Sequence, residues 1–144
     1  MIADEVWMAE ALKEASLAER EGEIPIGAVV VCADKVIGRG HNETERLGDV
    51  TAHAEILAIS AAAQSLGAKY LNDCTLYVTV EPCAMCAGAL AWAQIGRIVY
   101  GASDERRGYS RLSPSPLHPK TEVVSGVCEA EAAEIMKLFF RGKR

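Results

Sequence analysis

A chain of 144 residues, half of them hydrophobic and 24% charged, is long and apolar enough for one packed domain and too apolar for a disordered segment. No apolar run approaches the ~18 residues a membrane-spanning helix needs, and Asp4, Glu5 and Glu10 stand where a secretory leader would carry positive charge, so a cytoplasmic protein with no membrane partner is expected. A net charge of −5 argues against broad, non-specific nucleic-acid binding without excluding a local basic surface.

The first predicted element is a helix over residues 4–20, with Asp4 as N-cap and Met8, Ala11, Leu12, Ala15 and Ala18 at helical spacing. Gly22 and Pro25 end it. Residues 26–33 (IGAVVVCA) read as a strand, Asp34-Lys35 as a turn, and residues 36–40 as a second strand closing an antiparallel hairpin. Residues 42–50 are polar and read as loop. Thr51 is the expected N-cap of a helix over 52–66, which Gly67 stops.

Residues 75–80 (TLYVTV) are a strand by residue type, and Pro82 suits the first turn of a helix running to Gln94, with Trp92 in the core. Residues 97–101 form another strand. Residues 103–120 hold Pro114, Pro116 and Pro119 and make one long loop, a feature often functional in a compact domain. A short strand at 121–127 and a closing helix at 129–141, with Ile135, Met136, Leu138 and Phe139 inward, complete the chain. The alternation predicts an α/β domain with a mixed sheet of about five strands between helices, a three-layer α/β/α arrangement.

Five cysteines, an odd number with no export signal, point away from a disulfide framework and towards metal or catalytic use. Two segments carry that chemistry: His53-Ala54-Glu55 and Pro82-Cys83-Ala84-Met85-Cys86. Cysteines three apart on a helix leave the same face, and in a first turn the helix dipole favours thiolate over thiol. His53 sits equally early on its own helix. Two converging helix N-termini would therefore set two sulfurs and one imidazole nitrogen around one Zn²⁺ per chain. Structural zinc sites close with four protein ligands, whereas catalytic sites keep one position for water, whose pKa the ion lowers to about 7. The motifs supply three. Glu55, two residues from His53, points away from any ligand shared with it and is the expected catalytic proton carrier.

H-x-E followed by P-C-x-x-C is the signature of the zinc nucleobase deaminases. The chain resembles the cytidine-deaminase-like superfamily and, within it, the bacterial tRNA wobble-adenosine deaminases. The likeness rests on residues 23–29 (EIPIGAV), Gly40-His41-Asn42, residues 51–55 (TAHAE), residues 76–89 (LYVTVEPCAMCAGA) and Phe139-Phe140-Arg141. It covers nearly the whole chain, departing from that branch at residues 108–120. The resemblance implies a cytidine-deaminase-like fold, conversion of adenosine to inosine in a tRNA anticodon stem-loop, and a homodimer. The small residues Ala84, Ala87, Gly88, Ala89, Ala91 and Ala93 suit close packing of that helix against another element.

Several residues are expected to bind the substrate. The Asn42 amide offers both donor and acceptor to a base or ribose. Asp104 is placed to accept from a ribose 2′-OH. Arg106 and Arg107, with Arg111 nearby and Arg141, Lys143 and Arg144 at the end, would hold phosphates. Phe139 and Phe140 cannot both face inward, so one, Phe140 in this reading, is free to touch RNA. Cys32, Cys74 and Cys128 are expected to be inert packing. Two other functions stay open at this point. One is a deaminase of a free base or nucleoside, of guanine or cytosine type. The other is a zinc-stabilised binding module, its ion closed by one of Cys32, Cys74, Cys128, His41 and His118.

Overall fold

The central strand segments are apolar without alternation, so both faces of the sheet must be covered. The computed structural model, which describes residues 2–143, covers them with helices. Helix α1 is Asp4–Arg20, and strands β1 (Gly27–Cys32) and β2 (Lys35–His41) form the hairpin. A short helix α2 (Thr44–Leu47) and helix α3 (Ala54–Leu66) follow. Then come β3 (Thr75–Val80), α4 (Ala84–Trp92), β4 (Arg97–Ala102), a single 3-10 turn at Tyr109–Arg111, β5 (Glu122–Ser125) and α5 (Glu129–Arg141). No helix among the described residues is long and apolar enough to cross a membrane.

The sheet order is β2-β1-β3-β4-β5. β1 is antiparallel to both neighbours, while β3, β4 and β5 are parallel to one another. Val29, Val31, Tyr77 and Val99 face α1, packing with Met8 and Ala11. Ala28, Val30, Leu76, Val78, Ile98 and Tyr100 face the opposite way, against Ala54, Ala58 and Ala62 of α3 and Ala87 and Leu90 of α4. This is the mixed, five-stranded α/β/α arrangement predicted.

Several local expectations are corrected. Asp4 is the first residue of α1, not its cap, because its carboxylate accepts two bonds from Arg97 and one from the Tyr77 hydroxyl, each 2.8 Å. The hairpin turns at Ala33-Asp34, since pairing of Cys32 with Lys35 leaves two connecting residues, both with φ above 50°. Thr51 spends its hydroxyl on Asp49 at 2.7 Å, so α3 starts later, with His53 as its N-cap. Pro82 lies outside α4, whose N-cap is Cys83. Residues 42–50 include α2, whose first N–H groups end on the buried carboxylate of Glu23. Trp92 is not core but 85% exposed: α4 is apolar all round, and Cys86, Ala87 and Leu90 already take its inner face. Leu138 is also exposed, and Ala132 is the one fully buried residue of α5.

Candidate active site

β2 and β3 are each antiparallel to β1, hence parallel to each other, and β4 runs with β3. Their carboxyl ends share one edge of the sheet, the edge where open α/β sheets place ligands. Asn42 and α3 follow β2, α4 follows β3, and the loop with Asp104, Arg106 and Arg107 follows β4. Topology alone thus brings residues far apart in sequence to one edge.

α3 reaches that edge by lying close on β2. A Cβ at Gly38 would stand 2.4 Å from the Ala58 carbonyl oxygen, and one at Gly40 2.7 Å from that of Ala54. Where α3 begins, His53 Nδ1 lies 3.7 Å from Cys83 Sγ and 3.4 Å from Cys86 Sγ. All three donor atoms fall within 4.8 Å of one another. A tetrahedral zinc centre, with its usual bond lengths, holds a nitrogen and a sulfur about 3.6 Å apart, so the donor set fits the ion. Among the described residues, none of Cys32, Cys74, Cys128, His41 and His118 joins this group.

The three donor groups perturb one another. The Cys86 thiol, then the His53 ring, hold the Cys83 thiol down at about 4, although burial opposes this. Cys86 is pushed up by Cys83 and by burial, and the Cys83 hydrogen bond raises His53. Glu55 is buried in the first turn of α3 and stands outside the three-donor group. Burial pushes its carboxyl up to about 7.

The remaining predicted residues are distributed as follows. Asn42 is buried, its Nδ2 donating to the Ile24 carbonyl at 3.3 Å and its Oδ1 accepting from the Thr44 N–H at 3.2 Å; one donor hydrogen and one lone pair remain. Asp104 Oδ1 accepts from the Arg106 and Arg107 N–H groups, both at 3.0 Å. Arg106, Arg107 and Arg111 line a cavity of about 340 Å³ with Cys83, Ala84 and Met85. Phe139 and Lys143 line another with Gly22–Ile24 and Thr44-Glu45, while Phe140 and Arg141 are exposed beside them. Arg144 lies outside the described residues.

Three buried carboxylates went unnoticed in the sequence: Glu14, which bonds Arg39 and His41, Glu23, which caps α2, and Glu81, which holds the loop after β4. For Glu81 the available signal was an acid ending an apolar strand directly before Pro82-Cys83. His41, a suspect fourth ligand, is instead enclosed by Glu14, Glu21 and Glu43 at 3.1–3.4 Å. Burial disfavours its charged form, but hydrogen bonds to Glu14 and Glu21 hold its pKa above the ordinary value. Cys74 is buried in the core, and burial, then Cys32, push its thiol up to about 12.

The model of the MafB19-like deaminases matches residues 2–144. The chain belongs to that family. The deaminase is 44% identical to the tRNA-specific adenosine deaminase of Bacillus subtilis (strain 168), over 100% of this chain and 92% of the relative. A solved structure from a study of A-to-I editing by tRNA:A34 deaminases at the wobble position has a TM-score of 0.85 and 45% identity, covering 90% of this chain and 98% of its own. A guanine deaminase from Bacillus subtilis has a TM-score of 0.68 and 39% identity, covering 71% of this chain and 66% of its own. The deaminase is therefore an enzyme of hydrolytic C–N cleavage, with the fold expected from its motifs.

Proposed function

We infer that this deaminase hydrolyses adenosine to inosine, releasing ammonia, at the wobble position of a tRNA anticodon loop. The observation that carries the reading is the meeting of His53 Nδ1 with both cysteine sulfurs at 3.4–3.7 Å, with buried Glu55 beside them and three arginines around the adjoining cavity. The likeness to tRNA-specific adenosine deaminases, 44% identical over the whole of this chain, supports this substrate over guanine, since a solved guanine deaminase that spans 96% of the chain is 23% identical to it.

His53, Cys83 and Cys86 would hold one Zn²⁺, which when bound supplies the Lewis acid that makes water nucleophilic near neutral pH. Among the described residues three donors gather here and not four, which is the number of a catalytic zinc site and would leave a position for water, unlike a zinc-stabilised binding module. Glu55 takes a proton from the attacking water and delivers it to the ring nitrogen N1, where it stays. Glu55 then carries the second proton, from the hydroxyl now on C6, to the amine, which departs as ammonia as the C6 carbonyl forms. Its buried position keeps that proton from bulk water. The base must leave its stack to reach this depth, and an anticodon loop yields it at little cost. Asn42 reads the flipped nucleotide through its remaining donor and acceptor. Arg106, Arg107 and Arg141 hold flanking phosphates, Asp104 accepts from a ribose 2′-OH, and Phe140 offers a face for an unstacked base. Acting on tRNA, the enzyme would work in the cytoplasm.

The α4 face that carries Ala84, Met85, Gly88 and Trp92 is the homodimer surface in this reading. These residues recur at helical spacing, and both Met85 and Trp92 are exposed. The experiment that tests the function is inosine formation in an anticodon stem-loop, assayed beside free adenine, guanine and cytosine. Turnover of the stem-loop is expected. Efficient turnover of guanine or cytosine with none of the stem-loop overturns the reading.

A further inference from the structure

Glu81 directly follows β3 and is 5% exposed. Its Oε1 accepts from the Asp104 N–H at 3.1 Å, and its Oε2 accepts from the Ser110 N–H at 3.0 Å and the Ser110 hydroxyl at 2.6 Å. One carboxylate thus ties down both ends of the segment 104–110. Between those ends lie Arg106 and Arg107, whose own N–H groups are gathered by Asp104 Oδ1. The main chain closes the same circuit. Glu81 N–H donates to the Ala102 carbonyl, Tyr109 N–H donates to that of Pro82, and Gly108 bridges to Cys83. A Cβ at Gly108 would stand 2.3 Å from Glu81 Cδ and Oε2, so the segment lies directly upon the carboxylate.

The geometry assigns Glu81 as the positioning residue that sets the arginine loop against the helix carrying Cys83 and Cys86. Its carboxylate bonds Asp104 and Ser110 and none of His53, Cys83 and Cys86. It acts through the Arg106 and Arg107 side chains on the cavity wall beside Cys83. This rests on the RNA reading of the site only for its kinetic consequence; the tether itself is a property of the free enzyme. A buried carboxylate that accepts three donors cannot be replaced by an amide without setting N–H against N–H at one of them. Glu81→Gln is nearly the same shape, so it removes the tether with little change in packing.

The test uses the zinc-loaded enzyme, Glu81→Gln and, as a milder lesion that leaves the buried acid in place, Ser110→Ala. Trypsin cleavage after Arg106 and Arg107 under native conditions reads how often the loop opens, and is expected to rise about tenfold in Glu81→Gln and less in Ser110→Ala. Zinc content stays at the wild-type value. With an anticodon stem-loop, KM is expected to rise severalfold and its salt dependence to flatten, while kcat moves less. Cleavage rates equal to wild type in both variants overturn the assignment. So does a fall in kcat and zinc content at unchanged KM, which would make Glu81 a support of the metal helix. If the wild-type enzyme ignores the stem-loop, the substrate reading fails while the trypsin comparison still decides the tether.

Discussion

Gly38 and Gly40 lie two residues apart on β2 and face the same helix, yet the structure gives them different consequences. A methyl group at Gly38 would stand 2.4 Å from the Ala58 carbonyl oxygen and 2.7 Å from the Ala62 nitrogen; at Gly40 it would stand 2.7 Å from the Ala54 oxygen and 2.9 Å from the Ala58 nitrogen. Ordinary contact begins near about 3.4 Å, so α3 must withdraw by about 1 Å at the first position and about 0.7 Å at the second. Overpacking of this kind costs about 1–3 kcal/mol. For a chain of 144 residues that corresponds to a fall in Tm of about 3–10 °C. Gly38→Ala is the worse of the two on this measure.

The order reverses at the metal donors. Ala54 directly follows His53, so Gly40→Ala lifts the end of α3 that brings Nδ1 within 3.4 Å of Cys86 Sγ. A shift of about 0.7 Å exceeds the roughly 0.2 Å by which metal–ligand distances vary. Gly38→Ala acts one turn further along and tilts that end less. Tm measured by circular dichroism with zinc removed should therefore fall most in Gly38→Ala. Zinc affinity, measured by competition with a chelating dye, should fall most in Gly40→Ala, by on the order of tenfold. The same order in both assays would refute the reasoning, as would an unchanged Tm in either variant.

Glu55→Ala is expected to retain zinc by metal analysis and to lose about 10²–10⁴ in kcat; near-normal turnover, or loss of the metal, would remove Glu55 from the proton-carrying role. Reversing Arg106 and Arg107 to Glu should weaken stem-loop binding and reduce the log–log salt slope by at least about 0.7 per lost phosphate contact, which a filter-binding titration reads. Trp92→Glu should convert the proposed dimer to a monomer in light scattering, and a wild type that is itself monomeric at micromolar concentration refutes the α4 interface. Arg97, and to a lesser degree Tyr77, hold the Asp4 carboxyl below its usual range against the effect of burial, so Asp4 stabilises the fold above the unfolded-state value of about 4. Wild type should exceed Asp4→Asn by about 1 kcal/mol at neutral pH, and the gap should close as pH falls below about 4, in urea titrations at each pH.

How much of this was legible depended on what each residue is bonded to. β3 and α5 appear at their predicted bounds, because an unbroken β-branched and aromatic run and an amphipathic helix each carry a strong local period. The start of α3 was misplaced because Thr51 and Asp49 bond each other, a choice settled between two side chains and invisible to propensity. Asp4 was mistaken for a cap for the opposite reason. Its partner, Arg97, lies 93 residues away, and no local pattern announces it. α4 was found as a helix but not oriented, since the segment AMCAGALAW has no polar face to mark the solvent side. Trp92 was accordingly placed in the core.

The grouping of His53, Cys83 and Cys86 was legible for the same reason that Glu81 was not. A cysteine pair and a histidine at helix starts have few other uses in combination, so residue type and spacing alone carry meaning. A glutamate has many uses, most of them solvated, and its sequence neighbours say nothing about where backbone N–H groups will gather. Only the sheet order explains it. β4 lies beside β3, so the loop that leaves β4 must cross the end of β3, where Glu81 stands. A buried anion there is tolerable only because that loop supplies three donors, and the loop is fixed only because the anion is there to receive them. Such mutual dependence resides in the pairing of strands, and a reading along the chain meets the two halves separately.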